Sequence, residues 1–216
     1  MKLEGALKTM QKYLDAGHVE FVPPNEIPLK PGKTWFLPVL LVTHPKKDKV
    51  RAVFDSSAKF KGVSLNDVLL QGPDRNNKLK GVLLRFRDGP IAVAGDVETM
   101  FHSFHLRKED RDFVRYYWFK ENDPTRMLTQ MRAKVHIFGN KPSPAIANYG
   151  LRTAAARSPH LVKGKDMIEN NTYVDDSFKA VDSVNEAVQV LQETRSILGK
   201  LNIRFHKISF SLYKRS

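Results

Sequence analysis

Hydrophobic residues recur at helical spacing near the start of the chain and cluster in β-forming runs further on. Between Leu3 and Leu14 the apolar positions lie three or four residues apart, and Gly17 follows, so residues 2–16 are predicted as an amphipathic helix. Residues 35–43 and 51–54 are rich in β-forming side chains on either side of a basic turn. This arrangement predicts a β-hairpin.

The remaining pattern alternates between helical and extended segments. It predicts a helix capped by Asp74, strands over 91–97, 113–119 and 133–138, a helix over 144–157, a hairpin over 171–181, a helix from the capping residue Ser183 to Gly199, and terminal strands over 203–205 and 208–212. Helices mixed with mainly antiparallel strands indicate an α+β domain.

Three acidic residues lie on or beside these predicted strands. Asp175 and Asp176 end the sequence Tyr173-Val174-Asp175-Asp176, and Asp96 follows the apolar run 91–94. Carboxylates on half-buried strands are costly unless they are paired or hold a metal ion. Mg²⁺ suits such ligands, because it takes one or two protein carboxylates and completes its shell with water and phosphate oxygens. Two such ions can clamp the oxygens of an in-line phosphoryl displacement, which is polymerase chemistry.

The same residues also allow a structural interpretation. Asp175 and Asp176 can form an acidic hairpin turn, and Asp96 can cap a loop, with no metal involved. The tetrapeptide alone favours this simpler interpretation, so the choice depends on the surrounding sequence.

The surrounding sequence resembles reverse transcriptases. Asp96 and its neighbours look like motif A of that family, residues 138–148 look like motif B, and residues 173–176 look like motif C. Further blocks are similar to the polyproteins of BEL/Pao-type LTR retrotransposons: residues 51–58, 62–67, 84–87, 100–102 and 109–112. The blocks follow the family's order over residues 13–207, which is more specific than any one of them.

This resemblance implies a right-hand polymerase fold, with an antiparallel palm sheet backed by helices and a fingers subdomain, and without the thumb. Fingers would comprise residues 1–90 and a return segment, 105–142. The palm would comprise residues 91–104 and 143–216. The implied activity is that of an RNA-directed DNA polymerase, which adds deoxynucleotides to a primer 3′ end on an RNA or DNA template.

The resemblance also implies a set of catalytic residues. Asp96 and Asp175 would bind both of two Mg²⁺ ions, with Mn²⁺ as the alternative metal, and Asp176 would assist the ion nearer the primer end. Phe101 lies where the family places an aromatic ring against the sugar of the incoming deoxynucleoside triphosphate. Lys207 resembles a lysine late in the palm, although a surface charge explains it equally well.

Nucleotide contacts are implied elsewhere in the chain. Arg51 matches an arginine of the fingers that contacts the triphosphate, and Lys46 or Lys47 would supply a second phosphate contact. Gly139 would let the backbone approach the substrate. Phe138 departs from many retroviral enzymes, which carry a glutamine there, and cannot make the polar contact of that side chain.

Charge and composition narrow the class of partner. The 216 residues include 36 Lys and Arg against 23 Asp and Glu, a net charge of +13. This excess favours a polyanion such as a template–primer duplex, although a ribosomal-type or membrane-surface protein would show it too. No apolar run is long enough to span a bilayer, and the chain has no cysteine. We therefore expect an intracellular protein, in a cytoplasmic retrotransposon particle or in the nucleus.

Two other functions remain open at this stage. A truncated or co-opted copy could bind nucleic acid without polymerising, because the thumb that grips the duplex would be missing. A host protein could also retain only the fold, for protein contacts. In a retrotransposon, the chain would work beside the protease, RNase H and integrase of a polyprotein.

Overall fold

The structure is a computed structural model that describes residues 2–43 and 50–212. The chain divides into two units, each built from two segments. The first unit comprises Met1–Gln71 and Phe104–Ser143, and the second comprises Gly72–Ser103 and Pro144–Ser216. The sequence placed the first boundary at residue 90, and the naming of the units as fingers and palm stays a prediction.

Besides short 3₁₀ turns, six α-helices and nine strands are present within the described residues. In chain order they are α1 (Lys2–Asp15), β1 (Val19–Phe21), β2 (Val39–Thr43), β3 (Val50–Phe54), α2 (Leu65–Val68), α3 (Leu79–Arg85), β4 (Ile91–Val97), β5 (Arg115–Phe119), β6 (Leu128–Ala133), α4 (Ser143–Ala156), α5 (Val162–Asn170), β7 (Thr172–Tyr173), β8 (Asp176–Val181), α6 (Val184–Gly199) and β9 (Phe205–Leu212). No helix in this part of the chain is both long and apolar enough to cross a bilayer.

The first unit contains a three-stranded antiparallel sheet in the order β1-β6-β5 and the separate hairpin β2–β3. Helix α1 buries Ala6 and Met10 in the core of this unit, together with Tyr116 and Met131 of the sheet. The Tyr116 hydroxyl donates to the Met10 sulfur over 3.4 Å. The helix therefore packs on the core of this unit and lies mainly against β3, while Leu3 of the predicted apolar face is 44% exposed.

A group of buried charges also lies in the first unit. The side chain of Arg115 is completely buried, and those of Arg132 and Asp112 are nearly so. Both guanidinium groups lie 2.8 Å from Asp112 Oδ1, and Arg132 also contacts Glu20 at 2.8 Å and Glu26 at 2.6 Å. Burial alone would raise the pKa of Asp112, but hydrogen bonds from Arg132 and Arg115 lower it. These charges are satisfied inside the unit.

The second unit is built on a four-stranded antiparallel sheet in the order β7-β8-β4-β9. Strand β4 lies in its interior and is almost entirely apolar up to Gly95, which explains its burial. Helix α6 buries Val190, Ile197 and Leu198 and contacts β4, β8 and β9. Helix α5 packs closely on α6, because a Cβ at Gly164 would lie 2.6 Å from the Glu193 backbone.

Most of the predicted elements are confirmed. These are the first helix, the hairpin β2–β3, strand β4, helix α4, the hairpin β7–β8 and helix α6. Ser183 caps α6 as expected, since its side chain accepts a hydrogen bond from the Glu186 backbone.

Several predictions are wrong in detail. The strand expected over 133–138 lies instead at β6, and residues after it contribute only an isolated bridge, His105 with Val135. Asp74 does not cap α3, since its carboxylate accepts from the Asn76 backbone in a local turn and the helix begins after Lys78. The two terminal strands form one strand, β9, while β1, α2 and α5 were not predicted.

Candidate active site

The second unit brings the three predicted carboxylates together where β4 ends and β8 begins. We call this part of the sheet, which carries Asp96, Asp175 and Asp176, the acidic edge. Asp96, at the end of β4, is the register partner of Asp176, at the start of β8. The Val97 backbone N–H donates to the Asp175 carbonyl over 2.7 Å. Side chains at directly opposed positions of antiparallel strands have Cβ atoms about 4.5–5.5 Å apart. Acids from two remote segments of the chain therefore share one small surface.

The hairpin that carries two of these acids is tight and strained. Tyr173 pairs with Asp176, so that only Val174 and Asp175 form the loop. Val174 adopts φ 57°, in the left-handed region that β-branched residues rarely occupy. Such strain persists only where surrounding contacts hold the backbone in place, and it concentrates at functional sites.

Polar side chains behind the hairpin supply such contacts. Asn77 donates to the Thr172 carbonyl over 2.7 Å, and Arg152 of α4 donates to Asn77 Oδ1 over 3.2 Å. Arg152 also donates to the Glu169 carbonyl at the end of α5. The sequence analysis did not identify these residues. The available signal was an arginine in a helix that otherwise consists mainly of small and apolar residues.

The electrostatics of the edge follow from the crowding of like charges. Asp176 is exposed, yet the surrounding protein removes part of its hydration, and this raises its pKa. The neighbouring carboxylates of Asp175 and Asp96 raise it further. Lys207 of β9 lies on the same edge, with its ammonium nitrogen 2.7 Å from Asp96 Oδ2. Hydrogen bonding to Asp96 raises the pKa of Lys207.

The donor set is compatible with Mg²⁺ rather than with a metal held wholly by protein. Within residues 2–43 and 50–212, no three His, Asp or Glu side chains form a ready-made metal site. Mg²⁺ does not require one, because it is usually bound by one or two carboxylates together with water and substrate phosphates. Asp96 and Asp176, as opposed oxygen donors whose charges repel, fit that requirement.

The other predicted residues are distributed over both units. Phe101 belongs to the second unit, in a 3₁₀ turn after β4, and only 7% of it is exposed. Arg51 lies exposed on β3 of the first unit, and Phe138, also in that unit, is 52% exposed. Lys46 and Lys47 lie outside the described residues. The roles of all these side chains stay predictions.

Gly139 occupies a turn of the first unit that requires glycine. Its φ is 94°, and a Cβ would lie 3.2 Å from the Phe54 carbonyl oxygen. Asn66 holds this turn from both sides, donating to the Gly139 carbonyl over 2.8 Å and accepting from the Lys141 backbone over 2.9 Å. The block around Asn66 carried the sequence resemblance, but this supporting role was not foreseen.

Comparison with known proteins identifies relatives in structure only. No protein-family model matches the chain, and no curated protein matches its sequence. A foamy viral protease–reverse transcriptase in complex with double-stranded DNA matches with a TM-score of 0.69 and 16% identity, over 96% of this chain and 31% of that one. A selenomethionine-labelled mutant of the prototype foamy virus protease–reverse transcriptase matches with a TM-score of 0.67 and 18% identity, over 93% and 23%.

Identities this low establish a fold and not an activity. The chain has the reverse transcriptase fold, with the mixed helices and antiparallel sheets predicted from its sequence. It spans less than a third of the length of either foamy viral protein.

Proposed function

We propose that the chain is the polymerase module of a reverse transcriptase from a BEL/Pao-type retrotransposon. It would add deoxynucleotides to a primer 3′ end on an RNA or DNA template. One observation carries the proposal: in a chain with the reverse transcriptase fold, Asp96 is paired with Asp176 and its strand is hydrogen-bonded to Asp175. A structural acidic turn gives no reason for a third carboxylate, from another strand, at the same edge.

In this proposal, Asp96 and Asp175 hold two Mg²⁺ or Mn²⁺ ions and Asp176 assists. When bound, the ions would lower the pKa of the primer hydroxyl and neutralise charge on the triphosphate. The strained Val174 turn and its polar support through Asn77 would keep the hairpin acids in place, so that they do not reorganise when substrate binds.

The remaining predicted residues would act on the nucleotide. Phe101, in its buried turn, would restrict the space beside the sugar. Arg51, together with Lys46 or Lys47, would contact the triphosphate, because guanidinium and ammonium groups are the usual phosphate partners. Gly139 and Phe138 would border the nucleotide site.

The proposed partners are a template–primer duplex and deoxynucleoside triphosphates. The net charge of +13 supports a polyanionic partner, and one foamy viral neighbour was solved with double-stranded DNA. Selectivity for sequence should be slight, because base pairing reads the template. Protease, RNase H and integrase parts of a polyprotein are further proposed partners.

Primer extension on a homopolymer template tests the proposal. The Asp175→Asn variant should lower metal-dependent incorporation by roughly 10³-fold or more, because it removes a ligand of both ions. Asp182→Asn is the matched control, since it removes the same charge at an exposed position just beyond the far end of β8. Binding of the duplex with no metal-dependent incorporation by the parent chain would support a binding module instead. Equal activity of Asp175→Asn and the parent would exclude the assigned chemistry.

A further inference from the structure

Strand β9 carries an irregularity directly opposite the acidic edge. Its pairing with β4 runs from Ala94 with Ser209 to Asp96 with His206, so that two residues of β9, Lys207 and Ile208, lie opposite Gly95 alone. This is a β-bulge. Lys207 within it adopts φ 49°, in the left-handed region. Bulges redirect side chains and occur preferentially beside active sites.

The bulge changes where two neighbouring side chains point. Adjacent residues of a regular strand project to opposite faces of the sheet. Here His206 and Lys207 both contact the Asp96 carboxylate: Lys207 Nζ lies 2.7 Å from Oδ2, and His206 Nε2 lies 3.4 Å from Oδ1. A regular strand would direct only one of these two side chains toward Asp96.

The contact has the features of an exchangeable ion pair. The Lys207 side chain is 70% exposed, while that of Asp96 is 19% exposed. An exposed ammonium group on a flexible stem forms a weak pair that water or another cation can replace. The carboxylate, by contrast, is fixed by the interior strand β4.

We infer that Lys207 is a built-in counter-ion of Asp96 that competes with the first divalent cation for Asp96 Oδ2. The inference rests on the proposed function, since it concerns the same carboxylate. Binding is then an exchange: the ammonium group leaves the oxygen as the metal ion arrives, and no covalent bond changes. The affinity of the edge for a bare divalent cation is therefore lower than its carboxylates alone would give. The bulge in β9 places this lysine beside Asp96.

Three variants separate local competition from a general effect of charge. Lys207→Gln removes the competing cation and keeps much of its length. Lys207→Arg keeps a cation within reach of Asp96. Arg204→Gln removes a charge just before the start of β9, but Arg204 pairs with Glu98, at 2.5 and 3.0 Å, and not with Asp96. A purely long-range effect would make Arg204→Gln about as strong as Lys207→Gln, because it removes the same charge and takes one basic partner from Glu98, which keeps His206 Nδ1 at 3.5 Å.

The measurement is Mn²⁺ affinity of the purified chain, from the electron paramagnetic resonance signal of free Mn²⁺ at fixed ionic strength. We expect Lys207→Gln to bind Mn²⁺ about two- to fivefold more tightly than the parent, the range expected for losing one exposed pair. Lys207→Arg and Arg204→Gln should bind like the parent. Equal tightening by Arg204→Gln, or no tightening by Lys207→Gln, overturns the inference.

Two further measurements keep the test decisive. The ¹⁵N resonance of the Lys207 ammonium in the parent chain should shift on titration with Mg²⁺, and an unchanged resonance under saturating Mg²⁺ overturns the inference even where a variant fails to fold. Asp96→Asn should abolish most Mn²⁺ binding. Binding by the parent with no response to Lys207→Gln contradicts the counter-ion role alone, whereas Mn²⁺ affinity that is unaffected by Asp96→Asn contradicts the proposed function as well.

Discussion

In the first unit, buried charges meet opposite charges, whereas in the second unit three carboxylates stand together at a sheet edge. Asp112 contacts two buried guanidinium groups, and its pKa is lowered. Asp176 faces two other carboxylates, and its pKa is raised. In the first unit, each charge of the buried group contacts an opposite charge inside the protein. In the second unit, the basic side chains that contact Asp96 among the described residues are Lys207 and His206, both from the irregular strand β9.

The difference separates charges whose role can be structural from charges that are candidates for binding a ligand. Like charges held close together raise the free energy of the native state. A cluster of them is therefore a candidate for a functional site. A buried network with all members hydrogen-bonded needs no such explanation, because its function can be structural. The contrast therefore directs attention to the sheet edge without reference to any relative.

The largest expected effect comes from breaking the complete network. Arg132→Met should lower the free energy of unfolding by about 3–5 kcal/mol, because it leaves buried carboxylate charge undercompensated. Urea denaturation followed by tryptophan fluorescence measures this in the right place, since both tryptophans, Trp35 and Trp118, belong to the first unit.

Arg126→Met is the matched control for that variant. Arg126 pairs with Glu121 and Asp123, but its side chain is 47% exposed, so the loss should stay below about 1 kcal/mol. Similar losses in the two variants would mean that the buried network contributes no more than a surface pair.

A smaller effect is expected from the packing behind the acidic edge. A Cβ at Gly95 would lie 2.3 Å from the ring of the buried Phe205, so Gly95→Ala must displace β9 or the ring. We expect a loss of about 1–3 kcal/mol, the usual range for overpacking, and faster amide exchange in β4 and β9. Hydrogen exchange read by mass spectrometry measures the exchange rates in β4 and β9 and, from them, the loss of stability.

Gly199→Ala provides the comparison for that substitution. Gly199 ends α6, and an added methyl carbon there would meet no atom of the described residues within 4 Å, so alanine should be neutral or stabilise by up to about 1 kcal/mol. Unchanged exchange in Gly95→Ala would show that β4 and β9 accommodate the added methyl group. The close contact between Gly95 and Phe205 would then not restrict the geometry of the acidic edge.

Sequence patterns predicted the elements that depend on local signals. Helix α4 has a serine and a proline at its start, α6 has the capping Ser183, and β4 is a continuous apolar run, so each was found. Helix α5 was missed because Gly164 and its charged residues weaken the helical pattern. Gly164 is required there by contact with α6, which no local pattern reveals.

The candidate site was predictable in its acids but not in their surroundings. Asp96, Asp175 and Asp176 could be named because carboxylates on predicted strands are unusual and their blocks resemble a known family. Asn77 and Arg152 act through hydrogen bonds to residues remote in sequence, which leave no periodic trace. The contact of Lys207 with Asp96 depends on a bulge, and bulges arise from the register of two strands that are remote in sequence.

The smallest expected effect tests the opposite pKa shifts of Asp176 and Asp112. The raised pKa of Asp176 means that the native state binds its proton more readily than the unfolded state, so this group costs stability as pH rises through that window. Asp176→Asn should therefore stabilise the chain at neutral pH, by less than about 1 kcal/mol because the group is exposed, and the gain should vanish below about pH 4, where the carboxyl group is protonated in both the native and the unfolded state. The lowered pKa of Asp112 has the reverse sign: its contribution is present above the ordinary carboxyl range and is lost on acidification. Free energies of unfolding at several pH values, with a chelator present, should give Asp112→Asn its greatest loss at neutral pH. Parallel pH profiles for the two variants would contradict the distinction between a satisfied network and an edge of repelling acids.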